Sequence, residues 1–134
     1  PWQRSVAWST AALPLAAQAA SLKDFELNKT LLKVAEKSNE GKPRAINADL
    51  LDKGFTVDGT VLINNLEASP TLAAQIRSNP ELTVPQLGRS VCSNAGFRTL
   101  MAQGATLRYS FREYKTNSPV LTQDFRAENC QRKQ

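Results

Sequence analysis

The sequence predicts an α+β fold, in which a small antiparallel sheet of about four strands, arranged as two hairpins, packs on helices and is tied by one disulfide. Three observations lead there. Apolar residues recur at helical spacing from Leu22 onward. Two pairs of alternating, β-rich runs each flank a turn signal. The resulting order, helices, hairpin, helices, hairpin, lacks the strand-helix-strand alternation that builds a parallel sheet. A chain of 134 residues accommodates one such domain, expected over residues 21–134.

Ser21-Leu22-Lys23-Asp24 has the form of a capping box, and Leu22, Phe25, Leu31, Leu32 and Ala35 follow as one apolar face. A helix over residues 22–38 is expected, broken by Gly41 and Pro43. A short helix over residues 47–51, ending at Gly54, comes next. In "FTVDGTVLINNL" the Asp58-Gly59 dipeptide favours a type I′ turn between two strands. Ser69-Pro70 is a cap followed by proline at the first helical position, opening a short helix that Asn79-Pro80 stops at Ser78. Thr83 and Pro85 signal a long helix over residues 84–103, closed by Gly104. Gly88 and Gly96 inside it lower helix propensity and point to close backbone contact on that face. The last hairpin is read in "ATLRYSFREYKTNSPVLTQDFRAENC" around a Thr-Asn-Ser-Pro loop.

That hairpin decides how the cationic, aromatic "TLRYSFREYK" is interpreted. With a loop over residues 116–120, Phe111 falls opposite Phe125, Tyr114 opposite Thr122, Arg112 opposite Asp124 and Arg108 opposite Glu128. The rings then share the inner face, and both arginines meet a carboxylate outside. A slip of one residue would set Phe111 against Asp124. Lys115, Arg126, Arg132 and Lys133 are left unpaired, too few and too scattered for a nucleic-acid partner. The net charge of +5 comes mainly from residues 106–134, where six basic residues face three acidic ones.

Cys92 and Cys130 are the only cysteines, and no histidine occurs. No ligand set for zinc or haem follows, and neither metal nor other cofactor is expected. In an exported chain the two cysteines predict one disulfide of structural rather than redox function, since they lack the spacing of a redox pair. Histidine-based nucleophilic catalysis is excluded, no Ser-x-x-Lys is suitably placed, and no glycine-rich phosphate loop precedes a Lys-Ser or Lys-Thr. Asp49, Asp52, Asp58 and Glu67 could supply a carboxylate pair for a cell-wall or polysaccharide hydrolase, but turn and core positions explain them better, so no catalytic residues are expected. Asn64 and Asn65, at a strand end, are candidate partner contacts through their amides, as are the unpaired Lys115 and Arg126. Asn28-Lys29-Thr30 matches a glycosylation acceptor but lies on a predicted helix.

"SVAWSTAALPLAAQAAS", with Arg4 upstream and an Ala17-Gln18-Ala19 triplet, has the form of the tail of a secretory signal peptide cleaved after Ala19. Residues 1–20 are thus expected to be leader-like, an added segment, or an N-terminal arm in which Trp2 and Trp8 need burial. Polar residues and Pro14 interrupt the apolar run, so no membrane span is expected.

With "LPLAAQAASLKDF" ahead of "GFTVDGTVLINNL", a helical "VCSNAGFRTLMAQGATLRYSFREY" and a terminal "FRAENC", the chain resembles the Pseudomonas family of quorum-sensing-regulated secreted virulence factors over about residues 13–134. The resemblance implies a small exported α+β protein without assigned catalytic residues. The pattern is also similar to the pilotins of type II and type III secretion machines, which hold a partner peptide. A pilotin would carry a lipidated cysteine at its mature N-terminus, and none lies near residue 20. The function expected is that of a secreted or periplasmic, non-catalytic binding module with a protein or peptide partner, met through a sheet edge or a helix groove.

Overall fold

The structure, a computed structural model, describes residues 15–131, with side chains from residue 21 onward. Five helices and five strands follow in the order α1 (Leu15–Ser38), β1 (Arg44–Asn47), β2 (Leu50–Asp58), β3 (Val61–Ala68), α2 (Pro70–Ser78), α3 (Pro80–Ser93), α4 (Ala95–Ala102), β4 (Thr106–Glu113), β5 (Pro119–Phe125) and α5 (Ala127–Cys130). The α+β class holds, with five strands in sheet order β1-β2-β3-β4-β5. The sheet is mixed rather than wholly antiparallel, because β3 and β4 run parallel from Val61↔Thr106 to Ala68↔Glu113. Three consecutive helices, α2 to α4, supply the crossover that a parallel neighbour requires.

Apolar side chains of one sheet face pack on the helices. Leu27, Leu31 and Ala35 of α1, Val91 of α3, and Leu100 and Met101 of α4 surround Leu62, Leu107 and Phe125. Ile76 of α2 meets Leu66 and Phe111 in a second cluster. The opposite face carries Asn65, Glu67, Arg108, Ser110, Arg112, Thr122 and Asp124, the alternate residues of the same strands.

Several local expectations are corrected. Ser21 is not a cap, because α1 begins at Leu15 and passes through it. The helix expected over residues 47–51 is instead the β1–β2 turn: Asp49 N–H donates to Asn47 Oδ1 at 2.8 Å, and Ser69 Oγ donates to Asp49 Oδ1 at 2.7 Å. The first hairpin turns one residue later than expected. Asp58 pairs with Val61, so Gly59 (φ 61°) and Thr60 form the loop, and glycine at the first loop position suits a type II′ rather than a type I′ turn. The long helix is two, divided at Asn94, whose extended backbone and Oδ1, accepting Phe97 N–H at 3.0 Å, start α4 afresh. Ser69 does cap α2, its side chain accepting Leu72 N–H at 3.1 Å.

In the last hairpin Leu107 faces Phe125, Arg108 faces Asp124, and Phe111 faces Leu121, a displacement of four residues from the expected register. An even displacement keeps every side chain on its face, so ring burial and an Arg–carboxylate pair survive while the partners change. Arg108 takes Asp124; Arg112 faces Pro119 and donates to Asn117 O at 2.9 Å; Glu128 lies on α5. The cause is a tighter loop, with Lys115 (φ 76°) and Asn117 (φ 59°) left-handed and Asn117 N–H returning to Glu113 O, plus an irregularity between Phe111 and Arg112.

Cys92 and Cys130 are bonded, with Cα atoms 5.3 Å apart. Cys130 lies on α5 rather than on the strand, so the bond ties that helical turn to α3. One turn earlier on α3, a Cβ at Gly88 would stand 3.2 Å from Phe125 Cε1, the close approach that the glycine permits. α3 is thereby bonded to α5 and set close against Phe125 at the end of β5.

Candidate partner-binding surface

α1 carries two apolar stripes where the sequence suggested one. At 100° per residue, Leu27, Leu31, Val34 and Ala35 lie within about a third of a turn and face the core. Leu22, Phe25 and Leu32 group on a different side. They are 61%, 58% and 52% exposed, which decides that they do not belong to the core. The row spans about 15 Å of helix. On one flank of Leu22 a cleft of about 490 Å³ opens between α1 and the end of α4, lined by Leu22, Lys23, Glu26, Leu27, Thr30 and Gln103. Lys29 Nζ stands 5.4 Å from the centre of the Phe25 ring. Lys29 and Lys33 border this face together with Glu26 and Glu36, all exposed, so charges of both signs flank the row.

The core side of α1 is fixed by polar ties at its middle and at its C-terminal end. Asn28 Nδ2 donates to Gly59 O at 2.7 Å in the β2–β3 turn, which gives the Asn28-Lys29-Thr30 asparagine a structural contact. Asn39 receives Phe55 N–H on Oδ1 at 2.6 Å and donates from Nδ2 to Phe55 O at 2.9 Å. Below it, Lys42 Nζ lies 3.5 Å from the buried Asp52 and donates to Ser38 O at 2.9 Å. These ties hold α1 from Leu27 onward: Leu32 stands on the held part, and Leu22 and Phe25 on the turns ahead of it, where residues 21–26 are all exposed.

The contact residues expected from sequence do not assemble into a site. Asn64 and Asn65 point to opposite faces of β3; Asn65 Nδ2 binds Thr56 Oγ1 at 3.1 Å and Gly54 O at 3.3 Å, while Asn64 Oδ1 is buried. Lys115 lies in the β4–β5 turn, its Nζ 5.9 Å from the Tyr114 ring centre. Arg126 follows β5 at the other end of β4 and donates to Thr106 Oγ1 at 3.2 Å. Arg132, Lys133, Trp2 and Trp8 lie outside the described residues. Of the carboxylates, Asp52 pairs with Lys42 and accepts Gly54 N–H, Glu67 pairs with Lys53 at 3.3 Å, Asp49 holds Ser69, and Asp58 ends β2 at the hairpin.

On the open sheet face Arg108 Nε donates to Asp124 Oδ1 at 2.7 Å and its NH2 group to Oδ2 at 3.0 Å, a two-pronged pair. That hydrogen bonding holds the Asp124 carboxyl below its ordinary value and raises the guanidinium's. On the core side, burial pushes the Tyr109 phenol up, opposed by a hydrogen bond with Ser90. Among the described residues no helix is long and apolar enough to cross a membrane.

Sequence and fold comparisons agree with one another. A crystal structure of a Pseudomonas aeruginosa protein described as a "putative secreted protein" is 57% identical, covers 82% of this chain and 97% of its own, and superposes with a TM-score of 0.81. Two type II secretion pilotins, EpsS from Vibrio vulnificus and AspS from Vibrio cholerae, share the fold with TM-scores of 0.71 and 0.66 at 17% identity, each covering 84% of this chain and 99% of its own. Among curated proteins none matches the chain. Residues 20–131 match the family model described as "Putative quorum-sensing-regulated virulence factor", and the chain belongs to that family.

Proposed function

We propose that the chain is an exported, virulence-associated binding module without catalytic activity, which holds an amphipathic segment of another protein along α1. One observation carries the reading: three large apolar side chains, each more than half exposed, stand in a row on a helix that is anchored in the core from Leu27 onward. Scattered exposed leucines are ordinary, but an apolar row whose first member, Leu22, also lines a cleft offers the anchor spacing of helix recognition. The pilotin fold supports a partner within secretion machinery, and the secreted relative supports the compartment.

The test compares wild-type protein with a Leu22→Ser/Phe25→Ser variant, both disulfide-bonded, as baits for envelope and secreted fractions. Both side chains project into solvent, so the variant keeps its thermal unfolding temperature. The expected result is a specific protein captured by wild type and at least about tenfold depleted on the variant. Equal capture by both baits, or none by wild type, overturns the proposal.

A further inference from the structure

The two edges of the sheet are finished differently. At one edge β1 covers β2 from Leu50 to Asp52, and beyond it the Asn39 side chain takes both main-chain groups of Phe55. Its amide stands in for a neighbouring strand. β1 itself is four residues long, irregular between Ala45 and Asn47, and begins with Arg44, all features that discourage further pairing.

β5, at the opposite edge, has no equivalent. Within β4 the direction of the main-chain groups follows from the ends: Glu113 exchanges hydrogen bonds with Asn117 and Ser118 on the β5 side, whereas the amides of Thr106 and Tyr114 reach Thr60 and Ala68 on the β3 side. Odd-numbered residues of β4 therefore turn toward β5, and Leu107↔Phe125, Tyr109↔Gln123 and Phe111↔Leu121 are the hydrogen-bonded pairs. The N–H and C=O groups of Thr122 and Asp124 consequently face away from the sheet. Among the described residues, Gln123 Nε2 reaches Asp124 O at 3.2 Å, and no other partner meets these four groups.

The guards of this edge strand sit at its start, where Arg77 Nη2 donates to Pro119 O at 2.8 Å and Val120 is an extra residue in the ladder; they do not reach past Leu121. Proline occupies only the first position of β5, no lysine lies in it, and its single charge, Asp124, is already taken by Arg108 of the same chain. Thr122 is the midpoint of Pro119–Phe125, so a two-fold axis at Thr122 sets the regular stretch around it against itself, with Asp124 falling opposite Val120 where the strand becomes irregular. We infer that β5 pairs antiparallel with β5 of a second copy across that axis, extending the sheet of each chain into the other. Thr122 exchanges both main-chain bonds with Thr122 of the second copy, and threonine opposite threonine is a favourable cross-strand pair. The two Asp124 carboxylates stand about 14 Å apart along the strands, beyond strong mutual repulsion at physiological salt.

Sedimentation velocity of the full chain over about 10 µM to 1 mM, the range suited to a small interface, tests the inference together with amide hydrogen exchange. Reversible dimerisation is expected, with the Thr122 and Asp124 amides gaining protection as concentration rises. Thr122→Pro removes an outward N–H that β4 does not use, and Thr122→Lys keeps that N–H while placing a charge on the edge. Both are expected to weaken dimerisation about tenfold or more with little change in monomer unfolding. A chain monomeric throughout, a dimer indifferent to both substitutions, or monomers whose Thr122 and Asp124 amides are protected by some other extended peptide overturns self-pairing. The Leu22→Ser/Phe25→Ser variant is expected to dimerise normally, which separates this interface from the α1 surface.

Discussion

Gly54 shows how one residue fixes the entrance to β2. It sits at φ 101°, at the irregularity between Asp52 and Gly54, and a Cβ there would stand 2.6 Å from Asn39 Oδ1, the atom that receives Phe55 N–H. Gly54→Ala is therefore expected to destabilise by about 2–4 kcal/mol, combining left-handed strain with a displaced amide, as read from urea unfolding. Asn39→Ala, which removes the other half of that contact, is expected to cost about 1–3 kcal/mol. Asp124 offers a pH signature. Its carboxyl is held below the ordinary value by Arg108, so the folded state binds that proton less readily than the unfolded state. The stabilisation is present above the unfolded carboxylate range and disappears as pH falls through the lowered folded value. Unfolding midpoints of wild type and Asp124→Asn should thus differ near pH 7 and converge in acid once the pH has passed below the lowered folded value; the gap is expected to be modest, about 0.2–1 kcal/mol, because the pair is a third exposed. Tyr109 works in the other direction. Its raised phenol value leaves stability untouched below the ordinary 10.0 and lets it fall as pH climbs from there toward the folded value, a decline that Tyr109→Phe should reduce.

Among the elements, α3 and α5 depend on the disulfide most directly. The bond closes a separation of 38 residues, and its removal by a Cys92→Ser/Cys130→Ser pair is expected to cost about 4 kcal/mol in the chain-entropy model. Loss of protection should begin at α5, a four-residue turn that also relies on the Arg126–Asn129 cap. Capping explains both the success and the failure of helix reading. Ser69-Pro70 was legible because side chain and imino ring act locally, whereas Asn94 was hidden inside an otherwise helical pattern and broke it by taking Phe97 N–H. For α1, the periodicity announced a helix but merged two stripes, since Leu31 and Leu32 are adjacent in sequence yet about 100° apart. Spacing of four between Leu27, Leu31 and Ala35 was the signal that separates the core from the exposed row.

At the scale of the molecule, the described part of the sheet is asymmetric in its faces and its edges: among the described residues helices cover one face and leave the other open, and Asn39 caps one edge while β5 from Thr122 onward has no such cap. The proposed partner surface and the proposed dimer edge belong to different parts of this plan, α1 and β5, so occupation of one leaves the other available. The sequence by itself determined the α+β class, the positions of both hairpins, the disulfide partners and the inward or outward facing of the last two strands, because each follows from period, turn residues or cysteine count within a short stretch. Only the tertiary structure decided that the hairpins join through parallel β3 and β4, that Arg108 rather than Arg112 meets Asp124, and that Leu22, Phe25 and Leu32 remain outside. Those outcomes depend on which surfaces meet after the chain crosses over through three helices. Alternation fixes a residue's face but permits any even displacement along the strand, and loop geometry together with the packing of distant elements selects one.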